Sequence, residues 1–351
     1  MVAQKSVFAW LLMMGLAASS AEAQHVAAEL DVSAGISGEQ IGAAASQLRV
    51  FGQAPAKIDV FVETAWGDRW AGDDPVIGSG LIGMDPLGTD VFGSAYPYKG
   101  RITVMEAYAE RTFTPRGAIL GVRGGRYRMP FGIHNRSDFG YSGFTRPPLI
   151  RYDGYFALSN NWLEEGVVLT AGIPQLFVES SVSRPRDVGS SQRREGTDFT
   201  ARAQGYFREL VVGVSYLGSE PYMPARFASG RQKFTGVDLR WSHRLGILAR
   251  GEYLSGQSYQ GVSTEGWYLD GALHRPGMGP FTAVVRGEAL EYYSPDPSRA
   301  REAQRFTVGT RVRLPGPVTL QLNYLRQRGD LPHIKTKSID LSMTYSIRVD
   351  R

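Results

Sequence analysis

The stretch Ile339-Asp-Leu-Ser-Met-Thr-Tyr-Ser-Ile-Arg348 alternates apolar and polar side chains without a break. Successive side chains of a β-strand point to opposite faces, so Ile339 and Leu341 share one face while Asp340 and Ser342 share the other. A helix with 3.6 residues per turn would scatter the same side chains around its axis. The stretch therefore predicts a strand with one apolar face and one polar face.

The same alternation recurs along most of the chain, and helical periodicity is nearly absent. Counting the alternating segments predicts about sixteen strands, with fourteen or eighteen as alternatives. Most segments have about ten residues, the length that a tilted strand needs to cross a bilayer. The predicted segments lie near 25–35, 47–54, 57–66, 101–113, 118–131, 165–173, 175–183, 198–207, 210–218, 233–243, 245–255, 265–274, 281–292, 303–314, 318–327 and 337–348.

The connections between these segments are short and long in strict alternation. Tight turns are predicted at 115–117, 172–174, 208–209, 243–244, 275–280 and 314–317. Longer breaks are predicted near 36–46, 67–100, 132–164, 184–197, 219–232, 256–264, 293–303 and 328–336. In an up-and-down meander this places all short turns at one end, as in transmembrane barrels with short periplasmic turns and long external loops.

The predicted fold is thus an all-β, transmembrane, antiparallel up-and-down barrel, with both termini on the periplasmic side. A barrel of sixteen strands is wide enough to hold a water channel. The alternative is an exported soluble sandwich or solenoid, since soluble sheets alternate in the same way.

The N-terminus has the features of a secretion signal. Lys5 supplies a positive charge, 7–18 is an apolar run, and Ala21-Glu22-Ala23 is a small-x-small cleavage site. We expect residues 1–23 to be removed and residues 24–351 to form one barrel domain in the bacterial outer membrane.

Composition excludes several function classes. The chain has no cysteine, and 39 Lys and Arg face 34 Asp and Glu, a net charge of +5. The charges are interleaved and form no dense basic run, which argues against nucleic-acid binding. The five histidines are scattered without metal-ligand spacing. Gly78-Ser-Gly-Leu-Ile-Gly83 lacks the strand and helix that a dinucleotide site requires. No catalytic residue, cofactor or metal is therefore predicted.

The polar faces predict the lining of the lumen. Rings of one sign of charge set the selectivity of pores. The arginines placed on this face, with Arg305 beside the last two, are Arg126, Arg128, Arg202, Arg240, Arg250, Arg286, Arg311 and Arg313. The acids placed there are Asp59, Glu63, Glu106, Glu110, Asp238, Glu252, Asp270 and Glu288. The alternative is a neutral wall, in which Arg250 pairs with Glu252 and Arg286 with Glu288.

The stretch 118–165 holds the most distinctive pattern, a strand entering a long loop with arginines among aromatic residues. Arg123 is out of phase with Arg126 and Arg128, which predicts a bulge near Gly124-Gly125. The loop is the third long external one from the N-terminus. Its arginines, which we place at a constriction from this position, are Arg136, Arg146 and Arg151.

Gly125-Arg-Tyr-Arg-Met-Pro-Phe-Gly132 resembles the signature of the phosphate-selective porin O and P family, and late segments such as Val285-Arg-Gly-Glu-Ala-Leu290 are similar to that family as well. The resemblance implies a sixteen-stranded trimeric porin whose third loop folds into the lumen, with basic side chains along an anion path. Carried over by residue, it assigns only Arg126 and Arg128 to that path. Plentiful lumenal acids depart from the family pattern.

The sequence predicts a passive channel for small hydrophilic solutes, tilted towards anions such as phosphate. The expected partners are outer-membrane lipid and lipopolysaccharide, small hydrophilic or anionic solutes, and two further copies in a homotrimer. The alternative is a barrel without a channel, acting as an adhesin or structural anchor. A hydrolase assembled from lumen residues is a further alternative, since triads are recognised by geometry rather than by spacing.

Overall fold

The computed structural model describes residues 25–37, 41–71, 102–133, 143–146, 148–151, 163–186, 196–219, 232–257, 262–293, 301–329 and 337–350. The predicted signal segment lies outside these residues. Sixteen strands fill most of the described chain: β1 His25–Ser37, β2 Ile41–Ala54, β3 Ile58–Ala71, β4 Thr103–Phe113, β5 Ile119–Arg128, β6 Leu163–Ile173, β7 Leu176–Arg186, β8 Asp198–Phe207, β9 Leu210–Ser219, β10 Lys233–His243, β11 Ile247–Gln257, β12 Ser263–Leu273, β13 Phe281–Tyr293, β14 Arg301–Arg313, β15 Val318–Gly329 and β16 Lys337–Asp350.

The strands form one closed barrel. Each strand pairs in antiparallel with the next, and β1 closes the sheet against β16, with Ala27 opposite Asp350. A closed sheet has no free edge, so strand backbone groups pair within the wall, as a bilayer requires. The predicted all-β, up-and-down barrel and its sixteen strands are confirmed.

The tight turns that the sequence predicts all lie at one end of the barrel; the connection between β1 and β2, only three residues long, lies at the other end. The turn between β8 and β9 is only Arg208 and Glu209, and Arg208 has φ 55°. Positive φ is typical of the mirror-image turns that fit the twist of a tight hairpin. At the opposite end, most residues of the predicted long loops lie outside the described chain.

Several predicted boundaries are wrong: β3 continues to Ala71 and β7 to Arg186, past the predicted ends at 66 and 183. No long break occurs at 36–46, because β1 continues to Ser37 and β2 begins at Ile41. Its Gly, Ala and Ser residues have weak strand propensity, but pairing on both sides holds them in the sheet: Ala44 lies opposite Ala34 and Asp68. The strand predicted at 118–131 ends at Arg128, because the chain then leaves the wall.

The two faces of the barrel are inverted relative to a soluble protein. On β16, Leu341 and Met343 point outward and are 46% and 50% exposed, while Asp340 and Ser342 point inward and are buried. This is the arrangement expected when the outer face meets hydrocarbon. Among the described residues, no helix is long and apolar enough to cross a membrane.

Candidate functional site

The chain enters the interior of the barrel directly after β5. Met129 and Phe131 are buried, and the backbone N–H of Gly132 donates to Oγ of Ser215 on β9 at 3.0 Å. A Cβ added to Gly236 of β10 would come within 2.9 Å of the Phe131 ring. The part of this connection that the structure describes is called the inward segment below: residues 129–133, 143–146 and 148–151.

Side chains of the barrel wall accept hydrogen bonds from backbone N–H groups of the inward segment. The N–H of Thr145 donates to Oδ1 of Asn323 on β15 at 2.6 Å, and the N–H of Leu149 donates to Oε2 of Glu288 on β13 at 2.6 Å. A buried loop needs such partners because its own backbone groups lack a ladder. The sequence alone left open whether this loop turns inward or lies outside, and the structure places the described part inside.

Two of the three predicted constriction arginines anchor this segment. Arg146 makes two bonds to the carboxylate of Asp340 on β16, from Nε at 2.6 Å and from Nη2 at 3.1 Å. Arg151 is fully buried, forms an ion pair with Glu252 on β11, and donates to the Phe131 carbonyl at 3.3 Å. The side chains of Arg146 and Arg151 therefore form ion pairs with carboxylates of the barrel wall. Arg136 lies outside the described residues.

Apolar packing inside the barrel completes the anchoring. Residues of the inward segment and of the facing wall form one buried hydrophobic cluster, which burial of apolar surface stabilises. Its members are Met129, Phe131, Leu149, Ile150, Leu217, Phe234, Leu254, Val262, Tyr268, Leu290, Tyr292 and Ala303. Turn Leu149–Arg151 of the segment thereby packs on β12 and β13.

Gly266 on β12 makes this close approach possible. A Cβ there would lie 2.6 Å from Cγ2 of Ile150 and 2.8 Å from the carbonyl oxygen of Ala289. We expect Gly266→Ala to lower the free energy of unfolding by about 1–3 kcal/mol, because the segment must shift. The matched control is Gly124→Ala on β5, where a Cβ meets nothing within 4 Å. Urea unfolding in detergent compares the two; equal losses would contradict the packing described.

Wall arginines under the inward segment are neutralised by carboxylates of neighbouring strands. Arg202 pairs with Asp238 at 2.8 Å. Arg250 and Arg286 share Asp270, at 2.9 Å and 2.5 Å. The predicted pairs of Arg250 with Glu252 and of Arg286 with Glu288 are wrong, because residues two apart on one strand point the same way while closer partners lie on adjacent strands.

Glu252 and Glu288 bind other arginines than the predicted ones. Glu252 binds Arg151 of the inward segment, and Glu288 binds Arg305 at 2.7 Å. Arg286 also donates to the carbonyl of Arg146 at 2.8 Å and holds its guanidinium 4.0 Å from the centre of the Phe144 ring. These arginines therefore hold the segment in addition to lining the wall.

Arg128 joins three strands at the last position of β5. Its Nη2 lies 2.7 Å from Oε1 of Glu63 on β3, and its Nη1 forms an ion pair with Glu106 on β4. Glu63 also accepts from Nε of Arg49 at 3.3 Å, and Arg49 reaches Glu29 and Asp31 at 3.1 Å and 2.9 Å. A network of alternating charges thus spans β1 to β5.

The remaining predicted arginines are placed as follows. Arg126 is half-buried and lies in register with Ala107 and Glu165. Because the register runs without a shift from lumenal Arg123, this position is on the other face of β5, and the predicted place of Arg126 in the lumen wall is wrong. Arg311 is half-buried on β14, while Arg240 and Arg313 are exposed. The contribution of these last three arginines to an anion path stays a prediction.

The bulge predicted near Gly124-Gly125 is wrong. The registers of β5 with β4 and with β6 run through both glycines without a shift, and Gly125 instead takes φ +134°. A register shift occurs one strand pair away, between Glu63 and Thr64. Arg123 reaches the lumen, where it binds Glu110 at 2.7 Å.

Charged and polar side chains of β1, β2, β15 and β16 bind within the lumen without a predicted role. Glu29, Asp31 and Arg49 were not singled out, although they alternate with apolar neighbours and period-two counting from Val32 could have found them. Asp340 was predicted only as a member of the polar face of 339–348, and Asn323 had no predicted role. Their contacts with the inward segment carry no sequence signal, since the partners are 194 and 178 residues apart.

Solvent exposure divides the lumen into a covered wall and an open wall. Beneath the inward segment, the side chains of Arg151 and Glu252 are both 0% exposed. On β1 to β5, the side chains of Arg49 and Asp31 keep 10% and 20%, and those of Arg123 and Glu110 keep 18% and 20%. Among the described residues, the lumen side of β1 to β5 thus keeps several partly exposed charged side chains, although Glu63 within it is 0% exposed; this side is called the open wall below.

Comparisons with known proteins agree with this architecture. The chain is similar to OmpF of Salmonella typhi in complex with daunomycin (TM-score 0.62, 9% identity, 92% of this chain and 97% of that chain). It is similar to an anion-selective porin from Comamonas acidovorans (TM-score 0.59, 8% identity, 92% and 98%). The trimer form of OmpT, an outer membrane protein of Vibrio cholerae, also matches (TM-score 0.55, 8% identity, 92% and 98%).

These likenesses establish the fold, which is a porin-type barrel. No protein-family profile matches the sequence, and no curated protein matches it. Within the described part of the chain, no group of three or more His, Cys, Asp or Glu side chains is arranged to hold a metal ion.

Proposed function

We propose that this protein is an outer-membrane porin, a passive diffusion channel for small hydrophilic solutes. The observation that carries the proposal is the inward segment, which occupies one side of a polar lumen while charged side chains of the open wall stay partly exposed. A chain segment fixed inside a wide barrel narrows the water path without closing it. Transport then needs no chemical step, and the lumen residues act as a solvated, charged lining.

We further propose that the channel prefers anions to cations. Arg240 and Arg313 lie on the lumen faces of β10 and β14 near the short-turn end and are exposed. Exposed cations at one mouth raise the local concentration of anions. Phosphate as the preferred solute rests on the resemblance of Gly125–Gly132 to the phosphate-selective porin family.

Location and assembly follow from the same proposal. We place the protein in the bacterial outer membrane after removal of residues 1–23, with lipid and lipopolysaccharide around its apolar outer face. A homotrimer is proposed because porin-type barrels include a protein of the same fold described in a trimer form.

The decisive experiment is single-channel recording on the purified full-length protein in a planar bilayer. Stepwise conductance is expected. Insertion without conductance would overturn the channel and favour an anchor or adhesin. Reversal potentials in a salt gradient then report the sign of the selectivity, and a preference for cations would defeat the anion tilt.

Replacing the exposed arginines should change the selectivity of the channel between anions and cations. We expect Arg240→Glu with Arg313→Glu to lower the anion-to-cation permeability ratio roughly two- to fivefold, since a charge a few ångströms from the ion contributes roughly 0.5–1 kcal/mol in water. The control is Arg116→Glu, in the exposed turn Pro115–Gly117 outside the lumen. If reversal potentials move equally in both, the selectivity does not depend on the lumen arginines.

A further inference from the structure

Three aromatic rings form a continuous row on the inner face of β2, β3 and β4. Phe51 lies opposite Phe61 in the β2–β3 register, and Phe61 lies opposite Tyr108 in the β3–β4 register. The ring centroids are 4.9 Å apart for the first pair and 5.1 Å for the second. The three rings, called the aromatic row below, therefore sit side by side at one level of the barrel.

The row faces the lumen rather than lipid. Phe61 is two residues from Glu63 on β3, and Glu63 binds Arg128 and Arg49 inside the barrel. Side chains two apart on a strand share a face. By the same alternation, Phe51 shares its face with Arg49, and Tyr108 shares its face with Glu110, whose partner Arg123 lies 4.6 Å above the Tyr108 ring. The row is thus separate from the lipid-facing aromatic residues.

The row lies on the open wall, and its outermost ring keeps apolar surface in contact with water. Phe51 is 42% exposed although it points into the lumen, whereas Phe61 behind it is 9% exposed and Tyr108 is half-buried. Phe131 and Phe234, by contrast, point into the lumen and are buried in the cluster around the inward segment. Apolar surface held in water is unfavourable, and a contiguous patch of it commonly marks a binding site.

Polar side chains border the row on both sides. Towards the long-loop end, Arg49 pairs with Glu63, and Glu63 also pairs with Arg128. Towards the short-turn end, Nε2 of Gln53 donates to Asp59 at 3.0 Å. The ring planes are tilted by 47° and 38° from one to the next. An apolar patch between two rows of donors and acceptors is the arrangement that orients a ligand with an apolar face and a polar rim.

We propose that the aromatic row is a stacking site for pyranose sugars passing through the channel, an inference that rests on the proposed porin function. A pyranose ring presents C–H groups on its faces and hydroxyl groups around its edge. Its face stacks on the exposed ring of Phe51, which Phe61 supports from behind, while its hydroxyls exchange hydrogen bonds with the carboxylates and guanidinium groups on either side.

The charges around the row favour a neutral ring over an organic anion. On the lumen side of β1 to β5, acids outnumber arginines: Glu29, Asp31, Asp59, Glu63, Glu106 and Glu110 against Arg49, Arg123 and Arg128. Like charges repel an aromatic or sugar carboxylate from this wall. A neutral, hydroxyl-rich solute avoids that repulsion and still satisfies the carboxylate acceptors.

The test is block of ion current by maltotriose through single channels of the full-length protein. A saturable reduction of current is expected with maltotriose and not with polyethylene glycol of equal hydrodynamic size. Phe51→Ala should weaken the apparent affinity about tenfold, and Phe51→Leu should weaken it similarly, since both lose the flat face. Phe51→Trp should keep or strengthen binding. The matched control, Phe306→Ala, removes an exposed ring from the outer face and should leave the block unchanged.

The outcomes separate the two proposals. A protein that never conducts overturns the porin function. A protein that conducts normally, but whose current falls equally with maltotriose and polyethylene glycol, overturns the sugar site alone. Unaltered maltotriose affinity in both Phe51→Ala and Phe51→Leu would also overturn it, and the second variant keeps the test open should the first fail to fold. Stronger block by an anionic aromatic probe such as benzoate than by maltotriose would assign the row to another ligand.

Discussion

Truncation of Arg151 to Ala is expected to lower the free energy of unfolding by about 3–5 kcal/mol, because it leaves the carboxylate of Glu252 buried without its cation. Both side chains are 0% exposed, and Arg151 also binds the carbonyl of Phe131 and lies 5.5 Å from the centre of its ring. The change therefore removes an ion pair, a hydrogen bond and a cation–π contact at once. Urea unfolding in detergent micelles measures the loss.

The same variant should change the channel itself. With Arg151 gone, the turn Leu149–Arg151 loses its link to β11, and the inward segment is expected to fluctuate away from the wall. Single-channel records should show a noisier open current. Arg348→Ala is the control, because Arg348 and Asp350 form an exposed pair worth roughly 0–1 kcal/mol. Equal stability and equal noise in the two variants would show that Arg151 does not anchor the segment.

Replacement of Arg128 by Met is expected to shift the channel towards cations and to destabilise it by a similar amount, about 3–5 kcal/mol. Arg128 is the cation that Glu63 and Glu106 share across three strands. Removing it unmasks negative charge on the open wall, where it acts on passing ions. Reversal potentials in a salt gradient measure the shift, and the change in heat-resistant migration on gels reports the loss of stability.

Two further variants sharpen the Arg128 prediction. Arg128→Lys keeps the charge but loses the planar fork that serves two carboxylates, so intermediate stability and nearly unchanged selectivity are expected. Arg123→Met, on the same strand, releases only Glu110, and both partners are already partly exposed. Its effects should be smaller. If Arg128→Met and Arg123→Met behave alike, the three-strand network has no special role.

The division between sequence and structure is clear at Arg128. The Pro-Phe-Gly motif predicted that this arginine faces the lumen, and it does. The motif could not show that Glu63 and Glu106 neutralise it, since one partner is 65 residues away and the other 22. The sequence placed Arg128 on an anion path and left open a wall of paired charges; in the fold Arg128 pairs with Glu63 and Glu106 and joins three strands.

The sequence by itself determined the barrel, its sixteen strands and the side of the wall on which most residues lie, as in Ile339–Arg348. These features are local: period-two alternation and turn chemistry act over a few neighbouring residues. Only the tertiary structure decided that the described part of the third loop turns inward, and that Arg146 and Arg151 bind Asp340 and Glu252. Those contacts join distant residues, and their stability depends on burial and pair geometry that no local pattern records.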